Sequence, residues 1–116
     1  MRQRALIAMA SYYLATGAWP LLSMRSFEAV TGPKRERWLV KTVGSLTIAN
    51  GVTLAVGACR PRISRETLVL ALGCALAFST IDVVYVSLRR IRPVYLADAA
   101  VELAFAGLIL STPDAA

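Results

Sequence analysis

Four apolar runs with few or no charges divide the chain. Residues 5–24 form the first, 20 residues without a charge. Residues 38–59 follow, 22 residues with one charge, Lys41. The third, residues 68–88, has 21 residues and one charge, Asp82. The fourth, residues 94–110, has 17 residues and two charges, Asp98 and Glu102. A bilayer core about 30 Å thick needs ~20 apolar helical residues, so the first three runs are predicted to span it. The fourth reaches only about 25 Å at the helical rise; flanking residues or local thinning accommodate it. No run alternates with period two, which argues against strand-type spans. The predicted fold is all-α: a four-helix transmembrane bundle of sequential antiparallel helices, one integral-membrane domain over residues 1–116.

Local signals agree with these spans. Pro33 and Pro93 suit the first turns of the second and fourth helices, where a missing N–H costs nothing. Ser64 can cap the third, and Gly32 helps the turn before the second. Pro20, late in the first run, is expected to kink it. Trp19, Trp38, Tyr85 and Tyr95 lie near run ends, where aromatic belts form. The linkers, residues 25–37, 60–67 and 89–93, have 13, 8 and 5 residues, short enough to make sequential helices antiparallel neighbours. The first holds Phe27 and Val30 among polar residues, so residues 26–31 are expected to lie in the interface plane. Arg2, Arg4 and Ala8-Met9-Ala10 imitate a signal peptide. Only three residues separate the basic pair from the small-residue site, too few for an apolar h-region. A retained first helix is expected.

Composition removes most alternatives. The chain is 57% hydrophobic and 17% charged. Counting its seven Gly in place of its four Tyr gives about 59% apolar, against roughly 45–50% for ordinary globular chains. This excludes an ordinary soluble enzyme, a disordered tail and a disulfide scaffold. Thirteen Lys and Arg against seven Asp and Glu give a net charge of +6. The cations cluster between the apolar runs, as in membrane-protein loops, so no nucleic-acid partner is expected. Arg2, Arg4, Arg60, Arg62 and Arg65 share one side; Arg25, Lys34, Arg35, Arg37, Arg89, Arg90 and Arg92 share the other. The positive-inside rule then places the first and third linkers in the cytoplasm and both termini outside. The expected location is a bacterial inner membrane.

Candidate chemistry lies in the intramembrane acids. A charge at the bilayer centre costs roughly 2.5–3.5 kcal/mol on the insertion scale, so Asp82, Asp98 and Glu102 should face the bundle interior. Asp98 and Glu102 are i,i+4 and share a helix face with Tyr95. Asp82 shares a face with Tyr85, Ser79 and Phe78. Lys41, Asp82 and Asp98 lie at similar depth and Glu102 deeper. The expected site is a Lys41–Asp82–Asp98–Glu102 cluster with Tyr85 and Tyr95 at its mouth. Three acids facing one lysine in a low dielectric cannot all ionise comfortably, and Glu102, the deepest, is the candidate to keep its proton. The competing expectation is structural: Lys41 paired with Asp82 or Asp98 to hold register, or the acids paired with Arg89, Arg90 or Arg92.

Other features read as packing or as nothing. Gly44, Thr47, Gly51 and Ala58 form a small-residue stripe suited to close helix contact; Asn50 beside it is a further ligand candidate. Tyr12, Thr16 and Trp19 make a comparable face. Glu28, Glu36 and Glu66 are expected to pair locally with linker cations, at about 0–1 kcal/mol each. Cys59 and Cys74 would be ~9 Å apart along antiparallel helices, beyond disulfide reach. Without histidine and without a C-x-x-C, no metal site or cofactor is expected. No phosphate loop or nucleophile elbow appears.

The distinctive strings are Ala18-Trp19-Pro20-Leu21, Phe27-Glu28-Ala29-Val30-Thr31-Gly32-Pro33-Lys34 and Trp38-Leu39-Val40-Lys41. With its four runs and short connections, the layout resembles the small four-helix bacterial membrane proteins grouped as DoxX-like. The resemblance implies a four-span fold and assigns no activity or site residue. Three functions remain open. One is binding or carrying a small molecule or lipid at the acidic cluster. Another is an accessory subunit, as a homo-oligomer or with a partner membrane protein. The third is an intramembrane acid–base enzyme, which needs two carboxyls of separated acidity near one substrate.

Overall fold

The computed structural model describes residues 2–111. These form five helices: α1 Arg2–Leu22, α2 Met24–Thr31, α3 Arg37–Ala58, α4 Arg65–Ser87 and α5 Tyr95–Ser111. No strand occurs among the described residues. Met1 and residues 112–116, included in the expected domain, lie outside them. The four apolar runs become α1, α3, α4 and α5, and α2 is the segment expected in the interface plane. Three helices, α1, α3 and α4, are long and apolar enough to cross a membrane. The fourth run becomes α5, with 17 residues.

The helix ends follow local chemistry. Ser64 caps α4: its Oγ accepts the Thr67 N–H at 3.1 Å, and Glu66 sits favourably in the first turn. α1 runs through Pro20 and ends at Leu22, and Ser23 then caps α2 by accepting the Ser26 N–H at 3.3 Å. Gly32 closes α2 with φ +101°, a backbone that side-chain-bearing residues rarely adopt. Pro33 does not open α3, contrary to expectation. The Glu28 carboxylate accepts the Lys34 N–H at 2.8 Å, which holds this stretch in a connection, and α3 begins at Arg37. Pro93 lies two residues before α5, where its carbonyl accepts the Leu96 N–H at 2.9 Å.

Packing is antiparallel around a ring of α1, α3, α4 and α5, with α1–α3 and α4–α5 as the closest pairs. On α1–α3, a Cβ at Gly17 would meet the Gly44 carbonyl oxygen at 2.7 Å, and one at Gly44 would meet that of Gly17 at 2.6 Å. Gly51 faces Ala10 further along, so residue numbers rise on one helix as they fall on the other. The small-residue stripe of α3 is this contact surface, with Gly44, Thr47, Gly51, Leu54 and Ala58 buried. Gly57 abuts Thr67 of α4. Arg2 Nε donates to the Ile109 carbonyl at 3.0 Å, and Tyr12 packs on Phe105 at 5.8 Å, which closes α1 against α5. The core holds Leu6, Met9, Tyr13, Leu54, Ala71, Ala75 and Ile109.

The distribution of polarity is inverted relative to a soluble domain. Leu46, Val56, Val69, Leu76 and Leu110 are each at least 60% exposed, whereas Asp82 and Glu102 are 4% and 1% exposed. In water this arrangement leaves large apolar area wet and buries ionisable groups at high cost. In a bilayer both features become favourable or necessary.

Candidate functional site

Three helices bring the site together. On α5 the i,i+4 spacing sets Asp98 and Glu102 on the face turned to α1, at successive turns. On α1 the adjacent Tyr12 and Tyr13 reach them. Tyr12 Oη donates to Asp98 Oδ1 at 2.5 Å, and Tyr13 Oη donates to Glu102 Oε1 at 2.7 Å. Tyr13 is almost completely buried, edge-on to Phe78 of α4 with ring centroids 5.6 Å apart. Tyr12 is half-buried.

Asp82 comes from α4, whose close packing on α5 brings its carboxyl to that of Asp98. Its Oδ2 is buried with no hydrogen-bond donor. Ser79, one turn earlier on the same face, does not serve it: the Ser79 hydroxyl donates to the Leu76 carbonyl at 3.2 Å. The polar thread continues inward. Cys74 is partly buried, and Asn50 Nδ2 of α3 donates to Cys74 Sγ at 3.6 Å. Both cysteines are free thiols.

The three acids foreseen as a cluster are thus adjacent, but Lys41 is not with them. Lys41 is exposed near the start of α3. Its helix turns the Gly44–Gly51 stripe toward α1 and does not pack closely on α5. Tyr85 is 40% exposed. Tyr95 turns to the linker: its Oη accepts from Lys34 Nζ at 3.0 Å, and the ring lies 5.0 Å from the same ammonium. Asn50 belongs to the α3–α4 contact. Sequence reasoning read Tyr12 as packing and passed over Tyr13. The missed signal was two neighbouring phenols midway along an apolar helix, since buried hydroxyls require acceptors.

No family model, curated protein or solved structure matches the chain.

Among the described residues, three carboxyls and two phenols meet without a basic side chain. The ion pair that Asp82 or Asp98 was expected to make with Lys41 is not formed, and Arg92 Nη1 donates instead to the Ala29 carbonyl at 3.3 Å. No group of three Cys, Asp or Glu side chains among the described residues is arranged to hold a metal ion. Two cavities lie elsewhere. One of about 380 Å³ is lined by Met24, Arg25, Glu28 and Arg37, and one of about 350 Å³ lies along Gly73, Leu76, Ala77, Thr80 and Ile81. At the first, Glu28 accepts the Lys34 N–H and pairs with Arg37 Nε at 2.8 Å. The Lys34 N–H and then the Arg37 guanidinium hold its carboxyl below the ordinary range.

Proposed function

We propose that this chain is an integral protein of a bacterial inner membrane, a four-span bundle completed by α5. Its Asp82–Asp98–Glu102 cluster binds a small cationic or hydroxylated molecule in a binding or carrier role. In this reading its layout is similar to that of the DoxX-like proteins. The observation that carries it is the absence, among the described residues, of a cation beside three neighbouring acids, of which Asp82 and Glu102 are buried and Asp98 is partly buried. An array built only for register would contain its own counter-charge, because unpaired buried charge is strongly destabilising. Here the positive partner is left to a ligand or to protons. Asp82 Oδ2 offers an unused acceptor, and Tyr12 and Tyr13 can donate to a hydroxylated ligand if they exchange partners.

Native mass spectrometry of the detergent-purified chain, beside Asp98→Asn/Glu102→Gln, tests this. A discrete retained mass that disappears in the variant is the expected result. Bare protein in both samples overturns the proposal.

One observation favours a second reading. The two phenol–carboxyl bonds clasp α1 to α5, which is what a structural accessory subunit would need. That reading predicts the same double substitution to weaken the fold and to leave no ligand to lose.

A further inference from the structure

The α2 end of the bundle carries more cationic charge than the chain itself neutralises. Residues 23–37 and 88–94 contain seven Lys and Arg and two acids, Glu28 and Glu36. Both acids are engaged: Glu28 with Arg37 and the Lys34 N–H, and Glu36 as acceptor from Trp38 Nε1 at 2.8 Å. Arg25, Arg35, Arg89 and Arg90 are exposed, and none of them forms an ion pair with a described residue.

The two linkers that carry them are fastened together. Arg92 Nη1 bonds the Ala29 carbonyl, its side chain covers Gly32, and Lys34 reaches Tyr95. α2 is pinned by its inner face, with Phe27 edge-on to Trp19 at 5.3 Å and Trp19 Nε1 donating to Ser26 Oγ at 2.9 Å. Arg25 stands on its outer face. Arg89 adds an independent sign. It ends α4 with φ +59°, and the next residue's N–H returns to the Tyr85 carbonyl at 2.9 Å. This is the helix stop that normally takes glycine. An arginine held there against its backbone preference points to a use for its charge.

We propose that Arg25, Arg35, Arg89 and Arg90 form a collar that binds the headgroups of anionic phospholipids in the leaflet at the α2 end. The inference rests on the membrane-embedded reading above. The occupant follows from position and charge. Trp19 and Trp38 put the headgroup level at this end of the helices, and phosphate is the charge that exposed guanidinium groups match in geometry.

Trp19 and Trp38 are the chain's two tryptophans, so their fluorescence reports this end alone. The full chain is reconstituted in phosphatidylcholine containing a minor fraction of brominated phosphatidylglycerol, or the same fraction of brominated phosphatidylcholine. Quenching should favour the anionic lipid by roughly fivefold in relative association, the gain expected for about one basic side chain at an anionic surface. High salt should reduce it in the unmodified protein. Arg89→Gly, which suits the left-handed backbone, should keep the fold and lower the preference. Arg25→Gln/Arg35→Gln/Arg89→Gly/Arg90→Gln should abolish it. Equal quenching by both lipids, or a preference that survives high salt and the fourfold variant, overturns the collar and leaves membrane insertion standing. Quenching by neither lipid overturns both.

Discussion

Along one side of α1, Gly17 lies against Gly44 of α3 so closely that neither position has room for a Cβ. Along another, Tyr12 and Tyr13 reach across to Asp98 and Glu102 of α5. The first contact is backbone on backbone, with small residues serving dispersion and shape. The second is long side chains carrying hydroxyl and carboxyl groups into a buried space. A bundle needing only cohesion could repeat the first solution on both sides. Under the proposed binding role the α1–α5 side is held for something besides cohesion, and the unpaired Asp82 Oδ2 lies beside it.

Substitutions separate the two contacts. The largest effect belongs to Gly17→Val. Its Cβ would meet the Gly44 carbonyl at 2.7 Å, so the helices must part, at a cost of about 3 kcal/mol by the overpacking range. A thermal melt of the detergent-solubilised protein should show a large drop, and an unchanged melting point would contradict the close contact. Tyr13→Phe comes next. It strips Glu102 of its donor in a buried place and should cost about 1–3 kcal/mol. Tyr12→Phe should cost less, because Tyr12 is half-buried. Equal effects would show that burial does not separate the two bonds.

Asp82→Asn sharpens the contrast in the opposite direction. The amide supplies an N–H toward Asp98, so the melting temperature should rise by the equivalent of about 1 kcal/mol; a fall would mean that Asp82 already has a donor. Gly73→Ala, where a Cβ meets nothing within 4 Å, should stabilise α4 by up to about 1 kcal/mol, which separates tight glycines from incidental ones.

The smallest effect lies in the connection between α2 and α3. Glu28 has its carboxyl held below its ordinary value of 4.5. A lowered folded-state value means that its contribution is fully present above pH 4.5 and is lost as pH falls through the lower folded value. Glu28→Gln should flatten that part of the melting-temperature profile, and an unchanged profile would assign the acid sensitivity to other groups.

The sequence disclosed depth better than direction. Hydropathy located α1, α3 and α4, and the apolar pair Phe27 and Val30 marked α2, because these features depend on which residues follow one another. Asp98 and Glu102 could be placed on one face because i,i+4 spacing fixes it. Lys41 could not be placed, since similar depth says nothing about where α3 is rotated. That rotation is set by Gly44 and Gly51 meeting α1. Pro33 was misplaced for a related reason: its neighbour Lys34 is held by the Glu28 carboxylate six residues earlier, and that bond exists only once α2 has formed. Tyr13 was hidden because an aromatic residue at core spacing looks like packing until its hydroxyl is asked for an acceptor.

On the proposed reading, Asp82, Asp98 and Glu102 lie together inside a membrane without a counter-charge. Carbodiimide labelling of the protein in native membranes, read by peptide mass mapping, tests it most directly. A hydrophobic carbodiimide should modify Asp82, Asp98 or Glu102, whereas a water-soluble one should reach only linker acids such as Glu36 and Glu66. Modification of Asp98 and Glu102 by the water-soluble reagent as readily as Glu66 would contradict the account.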